Sequence, residues 1–464
     1  MPIVLTFLAL LVLALAVSIV DWRRGWLFAL LVGVLQDPVR KVTPGTPVVL
    51  TYSIVLVYFA VLLGGQIALQ RALRDFTRRF AYIYVALALL LFFLALGAVN
   101  GLFTFGLALW KVPALSLFIY LSPLPAVIVG YAYLRKEEDL YNLLRFYAVI
   151  TSIALLGTPL EFMKVQWRSL GMVALPEGYI RHLPGIQIRI LSGFYRAPDI
   201  MAWHASMLTA IGIMMAMRAR TLQRAWPWFL VSGWGFLNCI ISGRRKAVYM
   251  VFVFALFFVI RYVRRLTLTQ LISFCFIGAT LAGVTYHLAH RSEESSAYTR
   301  GTYTTQEEVL QRLEGGLGTT IEQFGILGAG LGTATQGVRH LLGHDENIGW
   351  QEGGLGKLAV ELGIPGLIAA LFFGYRAFKT MWRLGGFPDE LDSSQLTRAA
   401  LAAIAIANLA EFAASAQAYT DAVLTLFTAF LVGCLYATAA LEDRRKNEIA
   451  AAAPESSTVA PAMA

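Results

Sequence analysis

The sequence predicts an all-α polytopic integral membrane protein, and three observations predict it. Of 464 residues, 58% are hydrophobic and only 14% are charged, against roughly 25% charged in a soluble domain. Apolar runs recur along the chain at about the 20-residue length that crosses a bilayer as a helix. These runs are continuous and do not alternate, which excludes a transmembrane β-barrel. Cys239, Cys275 and Cys434 all lie inside apolar runs, so they read as small buried hydrophobes and not as a disulfide framework or metal site.

The first run covers residues 3–20, with no Lys or Arg before it and Asp21-Trp22-Arg23-Arg24 after it. A cleaved signal peptide carries its positive charge in front, so we expect an uncleaved helix with its N-terminus outside. Residues 25–36 make a short second segment that Asp37-Pro38 should end. Further runs lie near 47–70, 80–99, 107–134, 140–160, 198–217, 226–243, 247–263, 267–289, 354–375, 396–415 and 419–440. The expected count is 13 helices, or 12 if the first pair is one broken or re-entrant element.

Orientation follows from the preference of Lys and Arg for cytoplasmic loops. Basic connections occur at 71–79, 135–136, 218–224, 261–265, 376–383 and 444–446, and the segment order puts all six on one face. The C-terminus is then cytoplasmic. We expect one transmembrane domain over residues 1–441, with long connections at about 161–197 and 290–350 on the opposite face. Residues 442–464 are Ala/Pro/Ser-rich and are expected to be a disordered tail. No internal repeat is apparent, which weakens an inverted-repeat transporter reading.

Several cations break the charge bias. Arg181, Arg189 and Arg196 lie in the first long outer connection, and Ala197-Pro198-Asp199 opens the segment that follows. Ser242-Gly243-Arg244-Arg245-Lys246 forms a tight turn that parity also places outside. Cations at membrane depth are costly and mark function, and guanidinium groups fit phosphate oxygens in bidentate fashion. An anionic ligand at Arg196, Arg244 and Arg245 is one reading. Snorkelling onto lipid headgroups, or ion pairs with Asp199 or Glu161, is the other.

The second outer connection carries the densest polar chemistry. In residues 307–324, Val309, Leu310, Leu313, Leu317 and Ile321 fall at helical spacing, as in an amphipathic surface helix or one packed on the bundle. Gly328, Gly330 and Gly332 follow in Gly325–Gly332. With no preceding strand they are no dinucleotide fingerprint; they suit close approach of backbone to a ligand or neighbouring helix. His344 precedes Glu352, which opens an apolar run. An acid there is also an ordinary complement to a helix dipole. Glu361 lies within that run and needs a partner, which Lys357 at i−4 can supply. His204 is expected inside the bilayer as a hydrogen-bonded packing residue. No metal-ligand spacing and no nucleotide motif is present.

Phe194-Tyr195-Arg196-Ala197-Pro198-Asp199, Ser242-Gly243-Arg244-Arg245-Lys246-Ala247, Gly328–Gly332 and Glu361-Leu362-Gly363-Ile364-Pro365-Gly366 stand in this order. Together they resemble the O-antigen ligase and O-antigen or exopolysaccharide polymerase superfamily of bacterial envelope glycosyltransferases. The resemblance implies a GT-C-like membrane enzyme of the bacterial inner membrane, with its two long loops in the periplasm. The implied donor is an undecaprenyl-diphosphate-linked glycan and the implied acceptor a glycan or glycolipid. It further implies membrane lipids and chain-length-regulator or flippase proteins as partners, no nucleic acid, and no metal or other cofactor. Arg196, Arg244 and Arg245 would hold the diphosphate. Many members place a His-Asn pair shortly before the Glu-Leu-Gly signature, whereas here Glu352-Gly353 takes that place. The base is therefore expected to be Glu352 or His344, with Glu361, Lys357 and the three loop glycines in supporting positions. We expect a polymerase first, a ligase to lipid A–core second, and a lipid-linked oligosaccharide flippase as the reading from another class.

Overall fold

In lipid every backbone N–H and C=O must be satisfied inside its own segment, so long apolar runs fold as helices. The computed structural model describes residues 2–172, 179–183, 186–219, 221–262, 320–335, 353–385 and 393–452, with isolated positions at 272, 278, 279, 283, 318, 338, 349 and 351. In chain order the long helices are α1 (Pro2–Val20), α2 (Trp22–Val42), α3 (Ser53–Arg79), α4 (Ala81–Phe105), α5 (Lys111–Leu121), α6 (Pro123–Tyr133) and α7 (Glu137–Ala154). The one-turn α8 (Gly157–Phe162) precedes a hairpin of β1 (Tyr179–Leu183) and β2 (Ile186–Ile190). Then come α9 (Pro198–Arg218), α10 (Leu222–Ile241), α11 (Arg245–Tyr262), α12 (Gly354–Leu384), α13 (Ser393–Ala414) and α14 (Ala422–Ala452). Among the described residues, nine helical spans are long and apolar enough to cross a membrane, with α5 and α6 counted as one. The chain is a multi-pass helical membrane protein.

Of the expected segments 25–36, 226–243 and 247–263, residues 25–36, 226–241 and 247–262 are helical, in α2, α10 and α11, and these helices fall outside those nine. Residues 267–289 lie outside the described residues apart from isolated positions. Three local expectations change. First, α2 continues through Asp37-Pro38 to Val42. A proline ring forbids the bond to the carbonyl four residues back, yet the last turn holds because the buried Asp37 and Arg40 side chains find partners outside the helix. Second, the outer connection after α8 contains an antiparallel hairpin, with Tyr179 opposite Ile190 and Leu183 opposite Ile186. The alternation Ile186-Gln187-Ile188-Arg189-Ile190 is its period-two signal. Third, α14 runs past residue 441 to Ala452.

The centre of the bundle is α9, whose apolar window is buried over its whole length. Small residues let other helices meet at backbone distance, the usual device where no hydrophobic force acts between helices in lipid. A Cβ on Gly130 of α6 would fall 1.9 Å from the Phe430 carbonyl oxygen of α14. One on Gly433 would fall 2.0 Å from that of Val127.

Contacts place the described basic connections at one end. Arg79 at the end of α3 pairs with Asp443 of α14 at 2.5 Å, and Arg398 of α13 pairs with Glu442. Arg218 at the end of α9 lies 3.3 Å over the Tyr141 ring near the start of α7. Tyr82 of α4 meets Thr380 of α12 at 2.9 Å. Residues 263–265 of the fourth basic connection lie outside the described residues. The opposite end gathers the end of α2, the start of α9, the α10–α11 turn, the start of α12 and the α13–α14 connection.

Candidate functional site: a cationic mouth

The segment Ser192–Arg196 is gripped from two sides before it enters α9. Glu161 of α8 accepts from the Ser192 and Gly193 amides at 3.0 and 2.7 Å. Lys41, at the end of α2, donates to the carbonyls of Gly193 and Tyr195 at 2.8 and 2.5 Å. Gly193 has φ +56°, and a Cβ there would lie 2.7 Å from the Thr158 amide nitrogen, so only glycine fits. This grip delivers Arg196 to two carboxylates. Its amide donates to Asp37 at 3.0 Å and its guanidinium to the same carboxylate at 3.2 Å. Its other terminal nitrogen sits 2.5 Å from Asp421. Burial acts to lower the Arg196 pKa, but Asp421 and Asp37 outweigh it and raise the group above the ordinary arginine value. The side chain keeps 20% of its surface exposed.

A second cation group stands one turn away along the same mouth. Gly243 has φ +69°, and the Ser242 hydroxyl accepts from the Arg244 amide at 3.0 Å. This turn aims Arg244 and Lys246 at Asp199 in the first turn of α9, at 3.1 and 2.5 Å. Lys246 also donates to Ser415 at 2.7 Å and Gln417 at 3.4 Å beyond the end of α13. Arg245 is buried at the start of α11. Near Lys246, buried Glu411 accepts from Tyr419 at 3.4 Å. Of the two acids expected to pair with the misplaced arginines, Asp199 takes Arg244. Glu161 faces Arg189 at 4.0 Å. Arg196 takes neither. The Arg181 side chain lies outside the described residues.

The glycine loop does something different. It docks between α4 and α12 where α12 breaks at Gly363, with φ +69° and ψ 179°. Ala329 donates to the Val360 carbonyl, Leu331 to Gly97 and Ile364 to Ile326, each at 2.8 Å. Asn100 donates to the Gly328 carbonyl at 2.9 Å. Gly328, Gly330 and Gly332 all have positive φ, and a Cβ on Gly330 would fall 2.2 Å from the Gly101 nitrogen. Their role is therefore close approach to neighbouring helices. Glu361 ties the junction together. One carboxylate oxygen accepts from the Gly332 and Ala334 amides at 3.1 and 3.3 Å and from Thr335 at 2.6 Å. The other accepts from Tyr120 at 2.6 Å. The expected pairing with Lys357 is thus replaced. Lys357 lies over the Tyr120 ring at 5.2 Å, and no ion pair within 4.0 Å joins it to Glu361 among the described residues. Amide and hydroxyl donors already converge on the carboxylate, which meets its demand without a second buried charge.

Glu352 and His344 lie outside the described residues. Of the neighbours of position 352, Gly353 caps α12. Gly354 packs so tightly on α13 that a Cβ would fall 2.2 Å from the Phe412 carbonyl oxygen. The start of α12 therefore abuts the end of α13, just before the Ser415 and Gln417 that hold Lys246. His204 is a packing residue, as expected: Tyr147 bonds its Nδ1 at 2.8 Å and Tyr195 stacks on it at 4.7 Å.

Sequence reasoning missed Asp37, Arg40, Lys41, Glu411 and Asp421. The available signal was the same for each acid: a lone carboxylate at or inside the end of an apolar run. It named no partner, because the partners stand far away in the chain.

No protein-family model matches this chain, and no curated protein is significantly similar to it.

Proposed function

We propose that this chain is a glycosyltransferase of the bacterial inner membrane, with its basic end in the cytoplasm and its cationic mouth in the periplasm. It transfers a glycan from an undecaprenyl-diphosphate donor to an acceptor sugar hydroxyl, joining O-antigen or exopolysaccharide repeat units. One observation carries the reading. At a mouth opposite the basic end, among the described residues, Arg40, Lys41, Arg196, Arg244, Arg245 and Lys246 outnumber Asp37, Glu161, Asp199, Glu411 and Asp421. A surplus of positive charge on the side that the charge bias disfavours suits an anionic ligand.

The chemistry needs only what such a mouth offers. A base takes the proton of the acceptor hydroxyl, and that oxygen forms the new bond to the anomeric carbon. The bond from that carbon to the diphosphate oxygen breaks, and its electron pair leaves with the diphosphate. Arg196, Arg244 and Arg245 stabilise the departing charge. Glu352 or His344 is the base.

The test is an assay of purified protein with a lipid-diphosphate glycan. Release of undecaprenyl diphosphate with elongation of the glycan is the expected result, reduced by about 100-fold or more in Glu352→Gln or His344→Ala. Full activity in both variants rejects the assigned base. Transfer to lipid A–core without elongation makes the chain a ligase. Movement of intact lipid-linked glycan with no bond exchange makes it a flippase.

A further inference from the structure

Arg40 is given no separate task by the proposed transfer. It sits in the last turn of α2, is 7% exposed, and uses its Nε to donate to the Thr46 carbonyl at 3.0 Å. Among the described residues no acceptor meets its two terminal nitrogens and no carboxylate lies within ion-pair distance of it. Asp37, three residues earlier, is engaged by Arg196 instead. Arg40 as a residue is nearly buried, but its terminal nitrogens are not among the buried unpartnered atoms; they open onto a cavity with donors to offer.

Arg40 and Arg196 both line one cavity of about 200 Å³. The rest of its wall is mixed: Val48, Val55, Phe118 and Ile119 are apolar, and Thr51, Ser122 and Thr425 bring hydroxyl groups. Drug-sized sites run to roughly 300–1,000 Å³, so this one fits a headgroup with the start of a chain and not a whole ligand. Arg196 already meets Asp37 and Asp421, so the charge left to match on this wall is that of Arg40, and a phosphate in the cavity offsets it while taking bidentate hydrogen bonds from its terminal nitrogens. The wall also continues onto lipid-facing surface. Tyr52 lines the cavity, and with Leu56, Phe59 and Leu63 it forms an exposed stripe down α3.

We propose that this cavity is a second anion subsite, apart from the Arg244–Lys246 turn, which takes a lipid's phosphate headgroup from the bilayer beside α3 with Arg40 as its principal cation. It rests on the proposed function only through Arg196, which both sites share.

The experiment uses the full chain in phosphatidylcholine nanodiscs doped with photoactivatable phosphatidic acid. Crosslinks are expected within residues 48–55 and 118–122. Arg40→Gln should cut them by about tenfold, the loss expected for charged hydrogen bonds to one phosphate. Thr425→Leu fills the cavity without touching either arginine, and should cut them similarly even if Arg40→Gln fails to fold. Arg244→Gln should leave the labelling in place while lowering glycan transfer. Unchanged labelling in both Arg40→Gln and Thr425→Leu overturns the subsite, as does equal loss in Arg244→Gln. Displacement of the probe by inorganic phosphate as readily as by phosphatidic acid overturns its lipid source. Labelling that follows the expected pattern in a protein with no transferase activity upholds the subsite and removes only the proposed reaction.

Discussion

Glu361 is buried and Arg196 half-buried, and both are ionisable groups that tie elements together, yet they are satisfied in opposite ways. Glu361 is fully enclosed and accepts from amides and hydroxyls of the glycine loop and α5. One of its oxygens takes several donors and the other takes Tyr120, and its full enclosure leaves no open face toward a ligand. Arg196 meets two carboxylates but keeps part of its side chain exposed, and it faces a cavity with a second guanidinium. A sealed acceptor stabilises the fold. A partly open cation beside a cavity is what the proposed anion site requires.

The sharpest way to break this contrast is at Arg196. Arg196→Ala leaves Asp37 and Asp421 buried without their cation, and should cost about 3–5 kcal/mol, read as thermal stability of the detergent-purified protein. Adding Asp37→Asn and Asp421→Asn, with Met at 196, should recover most of that stability. Transfer from a lipid-diphosphate glycan should remain lost. If the triple variant regains transfer, Arg196 is structural only.

Smaller, and confined to the glycine loop, is Gly330→Ala. It forces a side chain into φ +91° and places a Cβ 2.2 Å from the Gly101 nitrogen, for an expected loss of about 3 kcal/mol. Its lipid-diphosphate KM should be unchanged in whatever fraction remains folded. A raised KM would mean that the loop touches substrate.

Smallest is Glu361→Gln. The amide oxygen can still accept from the loop and the amide nitrogen can donate to the Tyr120 oxygen once that hydroxyl turns, but the charge that strengthened these bonds is gone. A loss of about 1–2 kcal/mol is expected, with kcat and KM for transfer near wild type once stability is restored by lower temperature. A collapse of kcat at full folding would make Glu361 part of the chemistry and erase the contrast with Arg196.

Much of this molecule is legible in its sequence. Continuous apolar runs make helices because lipid offers backbone groups no other partner. The charge bias predicts one end for all six basic connections, and for the described ones the contacts at Arg79, Arg218 and Arg398 agree. The positions of Arg196, Arg244 and the glycine loop at unusual places were visible as breaks in pattern. What tertiary structure alone decided is who meets whom. Asp37 reaches Arg196 across 159 residues, and Tyr120 reaches Glu361 across 241. Proximity in sequence pointed Glu361 to Lys357, whereas packing gave it a loop. An apolar run specifies a helix locally, but the partner of a buried charge depends on which helix ends the bundle brings together, and that is a property of the whole packing.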